Sequence, residues 1–435
     1  MHLLLSVLLG ISLFGQGYKP ATLLVPPFSH TLGFYRASKF YLNLYLGHGF
    51  HYADPEGITC AKLKELDNPK TASDDHLLTL FAVNSATSQI VYNVEFKKLS
   101  ILGQPGSRDG AFQHPHGIAV NTDGDVYVAD TDNNRVVRLK YKNGDLGWVK
   151  VLNASLNRPF GVAIDTKGTV YVTDTQNSQV VVFDSTGNVK MTWQQNLTRP
   201  TGIAVIDKGD PYNSSGEEFV VVVDLDNTRI QKFSLAGKLL TGISNKDIGL
   251  EEVNFGYGAL DRYGNAWITD QTNNQIHKFD KNLHYIISLG REGTSEAEFI
   301  SPRGITIGRK YGQVFISEAE GGQYYWIGMD GYIVGCFPPA FAAKQPGTTI
   351  DLYLTEQAMV TIAIYDARGG LVRTLTPPHY QNPGEALLVW DGRDNNGAVV
   401  TKGDYTLKAV VTNTYPGMVK THSKKELTTT VRCEG

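Results

Sequence analysis

Apolar residues along this chain fall in short blocks rich in Val, Ile and Tyr, each bounded by Gly, Asn or Asp. That is the pattern of strands joined by tight turns. The blocks recur in a fixed order. The stretch HPHGIAVNTDGDVYVADTDNNRVVRL, from His114, returns in weaker copies aligned on an acidic or amide residue after an apolar strand: Asn84, Asp130, Asp174, Asp224, Asp270 and Glu318. The spacings are 46, 44, 50, 46 and 48 residues. Each copy holds a Gly-Ile-Ala-Val-type strand, a turn, a Val-Tyr-Val-type strand, an Asp-x-x-Asn hairpin and a third strand. A weaker fourth strand follows, as in Leu99–Leu102 or Tyr285–Ser288. Four strands in about 45 residues make one blade of a β-propeller.

The glycine of the first strand is read as Gly57, Gly117, Gly161, Gly202, Gly258 and Gly304, which predicts six blades. The recurrent acid or amide is read as a turn cap accepting backbone hydrogen bonds. Residues 40–47 echo Leu99–Gly103 and are expected to be an outer strand that pairs with the last repeat and closes the ring, with Tyr332–Cys336 competing for that place. The rhythm stops at a proline-containing linker, 337–347. Alternating stretches at Thr349–Leu354 and Val360–Tyr365 then predict an antiparallel sandwich over 348–435. The expected fold class is all-β, a six-bladed propeller over 18–336 followed by an immunoglobulin-like sandwich.

Residues 1–17 form a short apolar block ending in small residues, which reads as a secretory signal and places the protein outside the cell or at its surface. No later run is long and apolar enough to cross a bilayer. A formal charge of -3 and the lack of a dense basic run argue against nucleic acid as a partner. Three cysteines, Cys60, Cys336 and Cys433, permit one disulfide with a spare thiol, an intermolecular bridge or three buried thiols. Sequons at Asn153, Asn196 and Asn213 fall between strand cores and are candidate glycosylation sites.

The repeat, in its P-x-G-I-A-V, D-G-x-V-Y-V-A-D and N-x-R-V elements, resembles the NHL family of β-propellers over roughly residues 40–336. The tail resembles the immunoglobulin-like module first known from bacterial flagellar hook-capping proteins, through Val360–Asp366, Gly370–Leu375, Trp390-Asp-Gly-Arg-Asp, Gly397 and Gly403-Asp-Tyr-Thr-Leu. In that likeness Trp390 fills the sandwich core, Asp391-Gly392 turns and Tyr405 packs in the next strand. Asp391, Asp394 and Asn396 read as a turn rather than a calcium loop, lacking the later bidentate Glu.

Among NHL-like propellers, the peptidylglycine amidating lyases imply zinc held by histidines just before the first-strand glycine in three blades. The matching positions here are Glu56, His116, Phe160, Thr201, Tyr257 and Arg303, and only His116 is a histidine. One His falls short of the three or four donors zinc needs, so no metal or other cofactor is expected. These positions should line the channel mouth, and Glu56, His116, Tyr257 and Arg303 are the candidate ligand-binding residues. No G-x-S-x-G elbow, H-E-x-x-H helix or phosphate-cradling loop is present. The expectation is a non-enzymatic module that binds a protein or glycan. A fibre- or sheath-forming structural protein and a metal-dependent lyase or lactonase are the alternatives.

Overall fold

The computed structural model describes residues 23–26, 36–47, 50–67, 76–152, 154–343, 347–416 and 424–434; the expected signal segment 1–17 and the sequon residue Asn153 lie outside these. The chain is all-β, with repeated four-stranded antiparallel sheets of the propeller type followed by an immunoglobulin-like sandwich. Two compact units divide it, one centred on Pro26–Tyr325 and one on Trp326–Gly435 together with Ala21–Val25.

In the first unit the sheets follow one another along the chain. The first runs Pro55–Ala61, Thr79–Asn84, Gln89–Val94 and Lys98–Leu102. The next four begin at Ile118, Pro159, Ile203 and Phe255, each meandering outward through three further strands. The sixth joins Pro302–Gly308, Gln313–Glu318 and Gly321–Ile327, and Arg36–Ser38 pairs with Gly321–Gln323 on its outer side. Apolar residues of facing sheets interlock between them, as where Phe81 and Val83 of the first meet Val126 and Val128 of the second.

The recurrent acid has a uniform task. Asn84, Asp130, Asp174, Asp224, Asp270 and Glu318 are fully buried. Each accepts a hydrogen bond from a backbone N–H in the loop that enters the first strand of its own sheet: Ala53, Gln113, Asn157, Thr198, Asn254 and Ile300 respectively. A buried carboxylate with such donors satisfies N–H groups that would otherwise be orphaned. The turn-cap reading holds, with the cap reaching the preceding loop as well as its own hairpin.

The expected closing strand at residues 40–47 is instead the helix Lys39–Leu46. Ser38 caps its N-terminus by accepting from Tyr41 N, and Gly47 ends it with φ 82°. A serine cap and a left-handed glycine are helix signals that override the strand-like apolar spacing. Arg36–Ser38, just upstream, supplies the outer pairing that had been assigned to it.

The second unit starts earlier than the linker at 337–347 implied. Gly331–Phe337 pairs with Thr348–Leu354, and Ala340–Phe341 lies parallel to Lys424–Cys433, so Tyr332–Cys336 is a sandwich strand. One sheet has three strands and the other five. Trp390 is fully buried between them, edge-on to Phe341 and Tyr405, as the tail's resemblance implied. Asp394 accepts from Asn396 N and Ala398 N, which makes its loop a plain turn. All three cysteines are free thiols rather than bridged: Cys60 contacts Thr306 Oγ1 at 3.6 Å in the first unit, and Cys336 and Cys433 pack in the sandwich core.

Candidate functional site

The first strand of each sheet lies against the first strand of the next. Gly57 N donates to His116 O and Gly117 N to Phe160 O. Hydroxyls in the neighbouring strand complete the stitching: Thr173 donates to Thr201 O, Thr269 to Arg303 O and Ser317 to Glu56 O. The approach is so close that a Cβ on Gly117, Gly161 or Gly202 would stand 2.3 Å from the next strand's carbonyl oxygen. On Gly304 it would stand 2.5 Å from Glu56 O. Glycine is required there because two backbones meet.

The fifth sheet breaks this rule and corrects the alignment. Phe255 pairs with Asp270 and Gly258 with Ile268, just as Pro159 pairs with Asp174 and Val162 with Val172. Tyr257 therefore occupies the recurrent glycine position and Gly256 the position before it. The set preceding the glycine is Glu56, His116, Phe160, Thr201, Gly256 and Arg303.

Tyr257 reaches across the centre of the unit. Its hydroxyl donates to Glu56 Oε2 at 2.9 Å, and its ring stacks on Phe160 at 5.4 Å. Arg303 Nη1 donates to Glu56 Oε1 at 2.6 Å, and Arg303 Nη2 lies 3.5 Å from Asp54. His116 packs on Phe160 at 4.5 Å, and its Nδ1 is held by His114 O and Thr131 Oγ1, each at 2.9 Å. Of the four candidate residues, Glu56, Tyr257 and Arg303 thus meet directly, and His116 joins them through Phe160. Thr201 turns away to donate to Asn227 Oδ1.

Burial sets the charges. It pushes Glu56 up to about 7, against the opposing pull of Arg303 and the Tyr257 hydroxyl. It pushes His116 down to about 4, against the His114 carbonyl. Burial, reinforced by Glu56, holds Tyr257 well above the usual phenol range, so the tyrosine stays a donor. Below this cluster is a cavity of about 170 Å³ lined by the first strands of all six sheets. At its far end Arg309 donates to Leu260 O, Val205 O and Asp210, bracing three sheets.

The zinc set implied by the lyase resemblance is not assembled. Around the ring from His116 stand Phe160, Thr201, Gly256, Arg303 and Glu56, so an aromatic ring and a guanidinium occupy places where ligands would be needed.

Around this centre runs a rim the sequence reading did not isolate. The residue directly before the proline that leads into the first strand has positive φ in five sheets: Asp54 (50°), His114 (40°), Arg158 (50°), Arg199 (44°) and Ser301 (49°). Left-handed backbone is uncommon for such residues and costs about 1–3 kcal/mol each. Bonds from the preceding sheet hold it: Arg158 N donates to Asn134 Oδ1, Arg199 N to Ser178 Oγ and Ser301 N to Asn274 Oδ1. The result is an exposed rim that carries Asp54, His114, Arg158 and Arg199. Asp132 bridges His114 at 2.8 Å and Arg158 at 2.5 Å, and Asp226 pairs with Arg199. A left-handed residue directly before proline leaves no compositional mark, which is why it was missed.

The sequons differ. Asn213 Nδ2, the atom a glycan would occupy, donates to Asp207 O and Glu217 O, and its Oδ1 accepts from Ser215. Asn196 is exposed, in a left-handed turn.

Family models match in both units. The model described as NHL repeat matches residues 112–139 and 156–183, and the model described as FlgD Ig-like domain matches residues 340–414. The chain carries NHL repeats and a FlgD Ig-like domain. No curated protein matches it. Among solved structures it is similar to a streptogramin B lyase (15% identity, 64% of this chain and 94% of that one, TM-score 0.44). It is also similar to virginiamycin B lyase from Staphylococcus aureus (13%, 57% and 76%, TM-score 0.42). Hydrazine synthase from Kuenenia stuttgartiensis is a third (12%, 64% and 97%, TM-score 0.41). Likeness at these values carries no activity over to this chain.

Proposed function

We propose that the first unit is a six-bladed NHL propeller that binds a protein partner on the face bearing Asp54, His114, Arg158 and Arg199. The observation that carries this reading is the rim itself. Three charged residues, Asp54, Arg158 and Arg199, together with His114, are held in left-handed backbone around half-buried Phe160 and His116. An aromatic centre within a border that carries two arginines has the composition of a protein-binding hot spot. The Glu56–Arg303–Tyr257 cluster underneath is a brace: the Tyr257 hydroxyl and Arg303 Nη1 both donate to Glu56, which fixes the face. The contact of the sixth sheet with the first strand of the first sheet, through Ser317 and Glu56, supports a closed ring that presents this face rigidly.

The test is reversal of charge at the rim. Arg158→Glu and Arg199→Glu should each weaken binding to the partner isolated from the source by about tenfold or more, mainly through slower association that depends on salt. Unchanged affinity in both variants would remove the rim from the interface.

A further inference from the structure

In the fifth sheet, running from the end of its second strand to its last strand, four side chains form one hydrogen-bonded line. Asp270 Oδ2 lies 3.1 Å from His277 Nε2, His277 Nδ1 lies 2.7 Å from Ser288 Oγ, and Ser288 Oγ lies 2.8 Å from the Tyr285 hydroxyl. His277 and Ser288 are direct cross-strand partners in Gln275–Phe279 and Tyr285–Leu289. Asp270 and His277 are fully buried, whereas Ser288 is half-buried on the last strand of the sheet.

The bonds give the line a direction. Asp270 also accepts from Asn254 N, Thr272 N and Asn273, an environment fitted to a carboxylate. Its carboxyl is held below the usual range, burial notwithstanding, by His277 and these donors. With Asp270 Oδ2 taking the Nε2–H of His277, Nδ1 is the acceptor that faces the Ser288 hydroxyl. A serine whose proton points at an imidazole oriented by a buried carboxylate is the arrangement of an activated nucleophile.

The same two positions elsewhere hold nothing of the kind. They are Val91 and Ile101 in the first sheet, Val137 and Val151 in the second, Val181 and Thr192 in the third, and Gln231 and Gly242 in the fourth. Gln231 is informative, because its Nε2 donates to Asp224, the counterpart of Asp270, at 3.0 Å. Tying down the acid therefore does not require a histidine, and a serine opposite it is a separate addition.

We propose that Ser288 is a nucleophile toward carboxylic esters, with His277 as its base. Ser288 Oγ bonds to the acyl carbon while its proton moves to His277 Nδ1. The ester C–O bond then breaks, and the departing alkoxide takes that proton and leaves as the alcohol. Water, deprotonated by the same nitrogen, cleaves acyl-Ser288 to the carboxylic acid and restores the hydroxyl. The Tyr285 hydroxyl is the side-chain donor next to the developing oxyanion.

The test uses the full chain and a fluorophosphonate probe, in which the Ser288 Oγ–P bond forms as fluoride leaves, with p-nitrophenyl acetate as the ester. Peptide mass mapping should place the phosphonate on Ser288 well ahead of Ser107, an exposed serine on a turn. His277→Gln should keep the fold, as Gln231 does in the fourth sheet, yet slow labelling and p-nitrophenol release about 100-fold or more. Labelling of Ser288 no faster than Ser107, or equal rates in His277→Gln, would overturn the proposal. Should near-ultraviolet circular dichroism show that His277→Gln does not fold, the Ser288-to-Ser107 ratio in the unaltered chain decides. Either result leaves the rim proposal untouched, since none of these residues belongs to that face.

Discussion

The third and fifth sheets share the backbone bonding of their first strands and differ in the side chain those strands turn to the centre. In both, a threonine hydroxyl accepts from the first strand (Thr173 from Gly161 N, Thr269 from Tyr257 N). In both, the same hydroxyl donates to the next strand's carbonyl. Yet the third sheet has a glycine where any Cβ would meet Thr201 O at 2.3 Å, and the fifth has a tyrosine that spans the centre of the unit. The hydrogen-bonded frame thus sets the register independently of the side chain it presents. One exceptional residue converts a repeat of stitched strands into a braced assembly in which Tyr257, Glu56, Arg303 and Phe160 hold one another.

Several substitutions would sharpen or break that comparison. Tyr257→Ala removes a buried ring and the bond to Glu56 and should cost about 3–5 kcal/mol in urea unfolding. A loss under about 1 kcal/mol would show that the brace contributes little. Gly161→Ala places a methyl against backbone and should cost about 3 kcal/mol in the same measurement. A neutral result would mean the third sheet tolerates what the fifth does.

Smaller effects come from pH. The fold raises Glu56 to about 7 from 4.5, so its contribution to stability is present at low pH and is lost as pH rises toward 7. The fold lowers His116 to about 4 from 6.5, so its contribution is present above 6.5 and is lost as pH falls toward 4. Between 4.5 and 6.5 the two slopes oppose each other. Glu56→Gln should therefore make stability fall more steeply on acidification, and His116→Asn should make it rise, in urea midpoints measured across that range. Parallel curves for both variants and the parent would contradict the assigned charge states. Smallest of all, Arg199→Ala removes an exposed ion pair and should shift stability by less than about 1 kcal/mol, which separates the rim from the brace.

Much of this frame was legible in the sequence because its bonding partners are written into each repeat. The acid or amide at the position of Asp130 or Asp174 must accept backbone hydrogen bonds and stand before a hairpin, so composition reveals it. The brace was harder to read. The string Phe255-Gly-Tyr-Gly-Ala offers two glycines, and the reading took Gly258 where the pairing puts Tyr257. A usable signal existed: in the second and third sheets the glycine stands thirteen residues before the acid, and that distance from Asp270 falls on Tyr257. Residues 40–47 were misread for a different reason, since an exposed helix carrying Phe40, Leu44 and Tyr45 imitates the apolar density of a strand. The left-handed rim and the Asp270–His277–Ser288 line depend on cross-strand register, which the order of residues along one strand does not disclose.

The most direct measurement of the central claim, that the rim face binds a protein, is site-specific photocrosslinking in extract from the source organism. p-Benzoylphenylalanine would replace Phe160 on the rim face or Tyr212, an exposed residue in the loop at the opposite end of the fourth sheet. The account predicts one protein adduct at position 160, lost when Arg158→Glu is added, and none at position 212. Equal adducts at both positions, or none at position 160 with adducts at 212, would contradict it.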